Sequence, residues 1–247
     1  MYELQRRSLN TFDHRYVFIC NMPPFSVDWS SIGCVCFDVD STVCVDEGID
    51  ELARFLSCES EVQAVTSKAM NGELDFTQSL IRRLEIMRPS RSDIQRFLSF
   101  KQPSLTPGTK DVVQRLQNSG LHVCLVSGGF YPLVEPVAKL LNVPLENVYC
   151  NQLLFRDDGA YLGFDDTAPT CRSDGKATVV DSLIRRFQTG VIIVGDGMTD
   201  AKACPPATFF IGFGGNADRP PVRAATPYFC TTMQELLELF RSVGLVL

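Results

Sequence analysis

Two aspartates stand one residue apart in CVCFDVDSTVCVDEG, the stretch from Cys34 to Gly48, directly after a run of apolar residues. In extended backbone, residues i and i+2 point the same way, so Asp38 and Asp40 are expected to share one side of a strand end. Close carboxylates repel and resist joint ionisation. A hard divalent cation relieves that repulsion through oxygen ligands and keeps positions open for water or phosphate. The pair can also divide chemical labour. One ionised carboxylate can attack phosphorus while the other moves protons. Taken alone, an Asp-x-Asp pair more often serves capping or loop solvation.

Three further stretches carry groups of matching chemistry. Ser127, Gly128 and Gly129 follow an apolar run and offer a hydroxyl and backbone N–H groups to an anion, although a tight turn uses the same residues. VIIVGDG ends in Asp196, and Asp200 follows. CRSDGK ends in Lys176, where a helix is predicted to begin. A cation there opposes the helix dipole, so it needs either a nearby negative charge or free solvent. Together these groups compose a phosphoryl-transfer site: an aspartate nucleophile, a carboxylic acid for the leaving oxygen, and a cation, a lysine and backbone donors around the equatorial oxygens.

The elements that must bring these groups together are legible in the periodicity. A buried strand is expected over Cys34 to Val39. GIDELARFL, EVQAVTSKAM, FTQSLIRRLEIM and SRSDIQRFLSF then carry apolar residues at helical spacing, with Ser90 as a cap. Four helices without a strand predict a small helical bundle inserted early. Strands and helices alternate after KQPSLTPG: TKDVVQRLQNSG, HVCLVSGG, PLVEPVAKLLN, NVYCN, KATVVDSLIRRF, GVIIVGDG, TFFIGFGG and MQELLELFRSVG. NQLLFRDDGAYLGFD reads as a hairpin around its Asp-Gly turn. The expected fold is α/β, with a mostly parallel sheet covered on both faces and ligands beyond the carboxyl ends of its strands. Residues 1–31 are an extension of no clear period. Residues 32–45 and 105–247 form the core, and 46–104 the inserted helices, with hinges near Val45 and Pro103.

Composition narrows the function. Of 247 residues, 45% are hydrophobic and 21% charged, which is ordinary for a globular chain. A net charge of -6 and a pI near 5.0 argue against nucleic acid as a partner, while leaving room for a small anionic substrate held by local cations. No run is apolar enough to span a bilayer, so no membrane partner is expected. The short patch from Tyr16 to Cys20 does not resemble a signal peptide, and Glu3 and Asp13 count against mitochondrial targeting, so neither is expected. The 10 cysteines form no CxxC pair, and several lie in apolar strands as small hydrophobes. A reducing, cytoplasmic compartment is expected. A homodimer is left open.

The ordered motifs FDVDSTV, EGIDELA, SGGF, GDGMTD and GFGGN resemble those of the haloacid dehalogenase superfamily of phosphatases, from about Cys34 to near Phe240. The resemblance implies a Rossmann-like core with a helical cap inserted after the first strand. It implies Mg2+-dependent hydrolysis of O-phospho-L-serine through an aspartyl-phosphate. Carried over by position, Asp38 is the nucleophile and Asp40 the acid/base. Mg2+ is held by the Asp38 and Asp196 side chains and the Asp40 carbonyl, and Asp200 orients the metal shell. Ser127, Gly128, Gly129 and Lys176 take the phosphate. Thr199 lies near the substrate. Glu47 meets the substrate ammonium and Arg83 its carboxylate, which a planar guanidinium can grip with two hydrogen bonds. Met70 and Phe76 supply apolar walls. Asn71 replaces the glycine usual in the family.

Two other readings fit parts of the pattern. One is a different capped phosphatase or phosphotransferase of the same superfamily. The other is a non-enzymatic phospho-switch, which also phosphorylates an aspartate but lacks a neighbouring acid/base and a cap.

Overall fold

The apolar run ahead of Asp38 becomes the middle of a sheet. In the computed structural model, which describes residues 28–70 and 73–247, β1 is Ile32–Phe37 and carries no charged side chain. It pairs in parallel with β2 (His122–Phe130) on one side and β6 (Gly190–Gly195) on the other. A strand flanked and covered in this way is apolar at nearly every position instead of alternating. The strands β3 (Val148–Asn151), β7 (Phe209–Phe213) and β8 (Phe229–Cys230) complete a parallel six-stranded sheet in the order β3-β2-β1-β6-β7-β8. The connections run outward in both directions from β1 and β6. This reversal opens a crevice at their carboxyl ends.

Helices cover both faces, and successive residues of the strands divide between them. Val35 and Phe37 join the cluster under α5 (Thr109–Asn118), α6 (Tyr131–Leu140) and α10 (Met233–Ser242). Cys34 and Cys36 join the cluster under α7 (Gly175–Phe187). Between β1 and β2 the chain builds α1 (Gly48–Phe55), α2 (Glu59–Met70), α3 (Phe76–Met87) and α4 (Arg91–Phe100). Their apolar faces meet in a third cluster around Leu52, Leu80, Leu84 and Phe97, which also takes in Phe130 and Leu153. Asp75 and Ser90 start α3 and α4 with reciprocal capping boxes. The strands β4 (Leu153–Phe155) and β5 (Tyr161–Phe164) form the expected antiparallel hairpin. Among the described residues, no helix is long and apolar enough to cross a membrane.

The helical insertion leaves and re-enters the sheet region side by side. Cys44 and Leu105 form an antiparallel bridge, with Val45 N to Ser104 O at 2.9 Å and Thr106 N to Val43 O at 2.9 Å. The Asn216 amide nitrogen ties both segments to the loop after β7, at 3.1 Å from Ser41 O, 3.3 Å from Cys44 O and 2.7 Å from Thr106 Oγ1.

One expectation meets a different outcome, and others lie beyond the described residues. The first strand ends at Phe37, not Val39, because the Asp38 carboxylate takes the Val39 N–H and Cys44 N closes a turn onto Val39 O. The edge strand β8 has only two residues, too few to show a period. Residues 1–27 of the N-terminal extension, together with Asn71, lie outside the described residues.

Candidate active site

Asp38 is the first residue past β1. Its N–H makes the final ladder bond toward β6, to Val194 O at 2.9 Å, so the sheet itself fixes where the carboxylate stands. Oδ1 accepts from Val39 N at 2.7 Å and pairs with Lys176 Nζ at 2.8 Å. Oδ2 has no hydrogen-bond partner among the described residues. One oxygen is tethered and the other is presented to the crevice.

Lys176 lies in the first turn of α7 and is only 6% exposed. Its Nζ also meets Asp200 Oδ1 at 2.7 Å. Burial works against its charge, but the carboxylates of Asp200 and Asp38 outweigh it and hold the ammonium above its ordinary range. These two anions account for a cation at the unfavourable end of a helix. Gly175 makes this approach possible: a Cβ there would stand 1.8 Å from Pro169 O.

Asp196 is the first residue past β6, and Asp200 lies in the short helix α8 (Met198–Ala201) that follows. Asp200 is fully buried and accepts from Gly197 N at 3.0 Å. Burial, then the charge of Asp38, pushes it up to about 7 against the pull of Lys176. Asp196 accepts from Thr42 Oγ1 at 3.1 Å, and burial with the Asp38 charge pushes it up to about 6. Carboxylate oxygens of Asp38, Asp196 and Asp200 lie within 4.8 Å of one another. The set consists of hard oxygen donors, is buried and carries surplus negative charge. These properties fit a divalent metal ion.

Asp40 faces the opposite wall. Its Oδ1 accepts from Gly48 N at 2.7 Å, at the start of α1, and its Oδ2 from Ser127 Oγ at 3.3 Å. Burial, followed by the charges of Glu47 and Asp38, pushes it up to about 7. A carboxyl group poised near neutrality can both donate and accept a proton. Ser127 is fully buried at the bend of β2 and receives Gly129 N on its hydroxyl at 2.8 Å. Gly128 lies beneath the ring of Phe76: a Cβ there would come within 2.9 Å of Phe76 Cζ. Phe76 opens α3, so the insertion closes over the last turn of chain in β2. Asn151 steadies this end of β2 from below, with Nδ2 donating to Gly128 O at 2.8 Å.

The remaining sequence-predicted residues divide. Glu47, just ahead of α1, accepts from Ser41 Oγ at 2.7 Å at the rim. Arg83, on α3, is half-buried and faces Asp50, Glu47 and Asp40, with Nε on Ser79 O at 3.3 Å. Thr199 is half-buried beside Asp200. Met70 ends α2. Arg219 is a residue that sequence reasoning missed. It comes from the loop before α9 (Pro220–Ala224), reaches Asp196 Oδ2 at 2.9 Å and approaches Glu47 Oε1 at 3.4 Å. It bridges the sheet end to the insertion, and no local period marks it. Asn216 closes the quoted GFGGN, and that was its only signal.

Comparison with known proteins gives a consistent result. The haloacid dehalogenase-like hydrolase family matches over residues 35–204. The phosphoserine phosphatase of Rattus norvegicus is 48% identical over 208 residues, covering 84% of this chain and 92% of the relative. A phosphoserine phosphohydrolase-like protein from Francisella tularensis superposes with a TM-score of 0.76 at 30% identity, covering 84% of this chain and 99% of that one. A phospho-aspartyl intermediate analogue of phosphoserine phosphatase superposes with a TM-score of 0.73 at 25% identity, over 84% and 98% of the two chains.

Proposed function

Because the chain belongs to the haloacid dehalogenase-like hydrolases, we propose that it hydrolyses O-phospho-L-serine to L-serine and phosphate, the last step of serine biosynthesis. The observation that carries this reading is the carboxylate pair at the end of β1. Asp38 is tethered through one oxygen to Lys176 at 2.8 Å, and Asp40 is held near neutral pH at about 7.

The Asp38 carboxylate attacks phosphorus, and the bond from phosphorus to the serine oxygen breaks. Asp40, in its protonated form, gives its proton to that leaving oxygen. As a carboxylate it then takes a proton from water, which attacks the acyl-phosphate and regenerates Asp38. Lys176, Ser127 and the backbone N–H groups of Gly128 and Gly129 hold the phosphoryl oxygens. Mg2+ would be held by the Asp38 and Asp196 side chains and the Asp40 carbonyl, with Asp200 orienting its shell. When bound, it supplies positive charge against the phosphoryl oxygens. The helical insertion, residues 46–104, acts as the cap: Arg83 takes the substrate carboxylate, Glu47 its ammonium, and Phe76 closes over the phosphate loop. Met70, Asn71 and Thr199 complete the surroundings of the substrate. The nine free cysteines among the described residues support a reducing, cytoplasmic setting.

The test is phosphate release from O-phospho-L-serine with and without Mg2+, beside the Asp38→Asn variant. Turnover is expected to require the ion and to fall by at least about a thousandfold in Asp38→Asn, with unchanged circular dichroism. A variant that keeps its activity removes Asp38 from the nucleophile's role. A panel of other phosphomonoesters hydrolysed equally well would instead favour a broader capped phosphatase.

A further inference from the structure

The face of the sheet under α7 carries a second cluster of ligand-bearing side chains, and the phosphatase chemistry uses none of it. Cys34 and Cys36 are two residues apart on β1, and His122 and Cys124 two apart on β2. The parallel register sets Cys34 against His122 and Cys36 against Cys124. Residues i and i+2 share a face, and side chains paired in register on parallel strands do the same, so the four form a two-by-two patch. The three thiols are fully buried and free, and their sulfurs lie within 4.8 Å of one another. Cys34 Sγ and Cys124 Sγ are 3.8 Å apart. Three sulfurs at about 2.3 Å around one ion stand roughly 4 Å from each other in a trigonal arrangement, so little movement separates the thiol cluster from a coordination shell.

The fourth corner is the route to solvent. His122 is exposed, and its ring stacks on Phe187 of α7 with centroids 3.9 Å apart. The positive charge of Arg186, which bonds Tyr149 Oη at 2.9 Å, lies at the same end.

We propose that Cys34, Cys36 and Cys124 bind one thiophilic divalent cation of the Zn2+ class, with His122 turning off Phe187 to supply the fourth ligand. Three thiolates and one imidazole make one of the ligand sets that suit tetrahedral zinc. Sulfur donors separate this site from the oxygen donors of the aspartate cluster, which select hard cations. A bound ion would fasten β1 to β2 just before the chain reaches Asp38.

The test uses Co2+ as a coloured stand-in for Zn2+, added to the full chain in excess Mg2+ with a phosphine reductant. One equivalent of Co2+ is expected to raise a thiolate charge-transfer band that Zn2+ then abolishes. Cys124→Val should remove the band, and Cys171→Ala, a cysteine outside the patch, should leave it. His122→Ala should keep the band but weaken binding by about 10- to 100-fold. Absence of a thiolate band at stoichiometric Co2+ overturns the proposal, as does a band that survives in Cys124→Val. Should Cys124→Val lose its native circular dichroism, Cys34→Ala carries the same two outcomes. Unchanged affinity in His122→Ala overturns the role of the fourth ligand.

Discussion

Arg83 makes one hydrogen bond among the described residues, Nε to Ser79 O at 3.3 Å, which leaves most of its donors uncommitted. Burial opposes its charge, and Asp50, Glu47 and Asp40 sustain it. A guanidinium held in this way suits a carboxylate ligand. Arg83→Ala is expected to raise KM for O-phospho-L-serine by about 10- to 100-fold. It should change hydrolysis of O-phosphoethanolamine, which lacks the carboxylate, far less. Equal losses on both substrates would rule out the contact. Asp50 is the companion to watch, because its Oδ1 is buried without a hydrogen-bond partner among the described residues. If this oxygen steadies Arg83, Asp50→Asn should raise KM for O-phospho-L-serine several-fold and leave kcat within about twofold. A fall in kcat alone would contradict that. At this scale the sequence was legible wherever a candidate site residue lies in or just past a strand, as with Asp38, Asp40, Ser127 and Asp196. Arg219 was not legible, because a loop arginine near Asp196 differs from any surface arginine only once the chain has folded.

Helix α7 shows how an element can serve one side chain. Its first turn is pressed against the segment Pro169–Cys171, and Lys176 enters the site only because Gly175 has no side chain there. Gly175→Ala places a carbon 1.8 Å from a carbonyl oxygen, so the start of the helix must move. Such a rearrangement costs about 1–3 kcal/mol by analogy with overpacking. The variant should therefore melt lower and lose activity together, whereas Gly120→Ala, in an open turn at a φ of 80°, should melt lower through backbone strain alone and keep its activity. Activity retained in Gly175→Ala would show that Lys176 does not depend on this packing. The amphipathic helices were legible because burial on one face imposes a period. The end of β1 was not, because apolar residues continue past the point where Asp38 starts the turn.

Across the whole molecule, charge couples the site to stability. Asp40, Asp196 and Asp200 are pushed up from 3.8 to about 7, 6 and 7, with burial the first cause for each. Folding therefore favours their protonated forms. Between roughly pH 4 and 7 the folded chain binds more protons than the unfolded one, so this stabilisation is present at low pH and is lost as pH rises through the folded values. With a chelator present, Tm is expected to be lower near pH 8 than near pH 5, and an added divalent cation should raise it more at the higher pH. A cation effect independent of pH would contradict this coupling. The paired segments at Cys44 and Leu105 have a separate consequence. Since the two ends of the insertion are already neighbours, the chain presents a socket: a lid of another length could be grafted there, provided that it also covers Gly128, Phe130 and Leu153, against which the present insertion packs. Under the proposed function, substrate choice would fall to the insertion and bond-breaking to the strand ends, with Asn216 as the clasp at their joint.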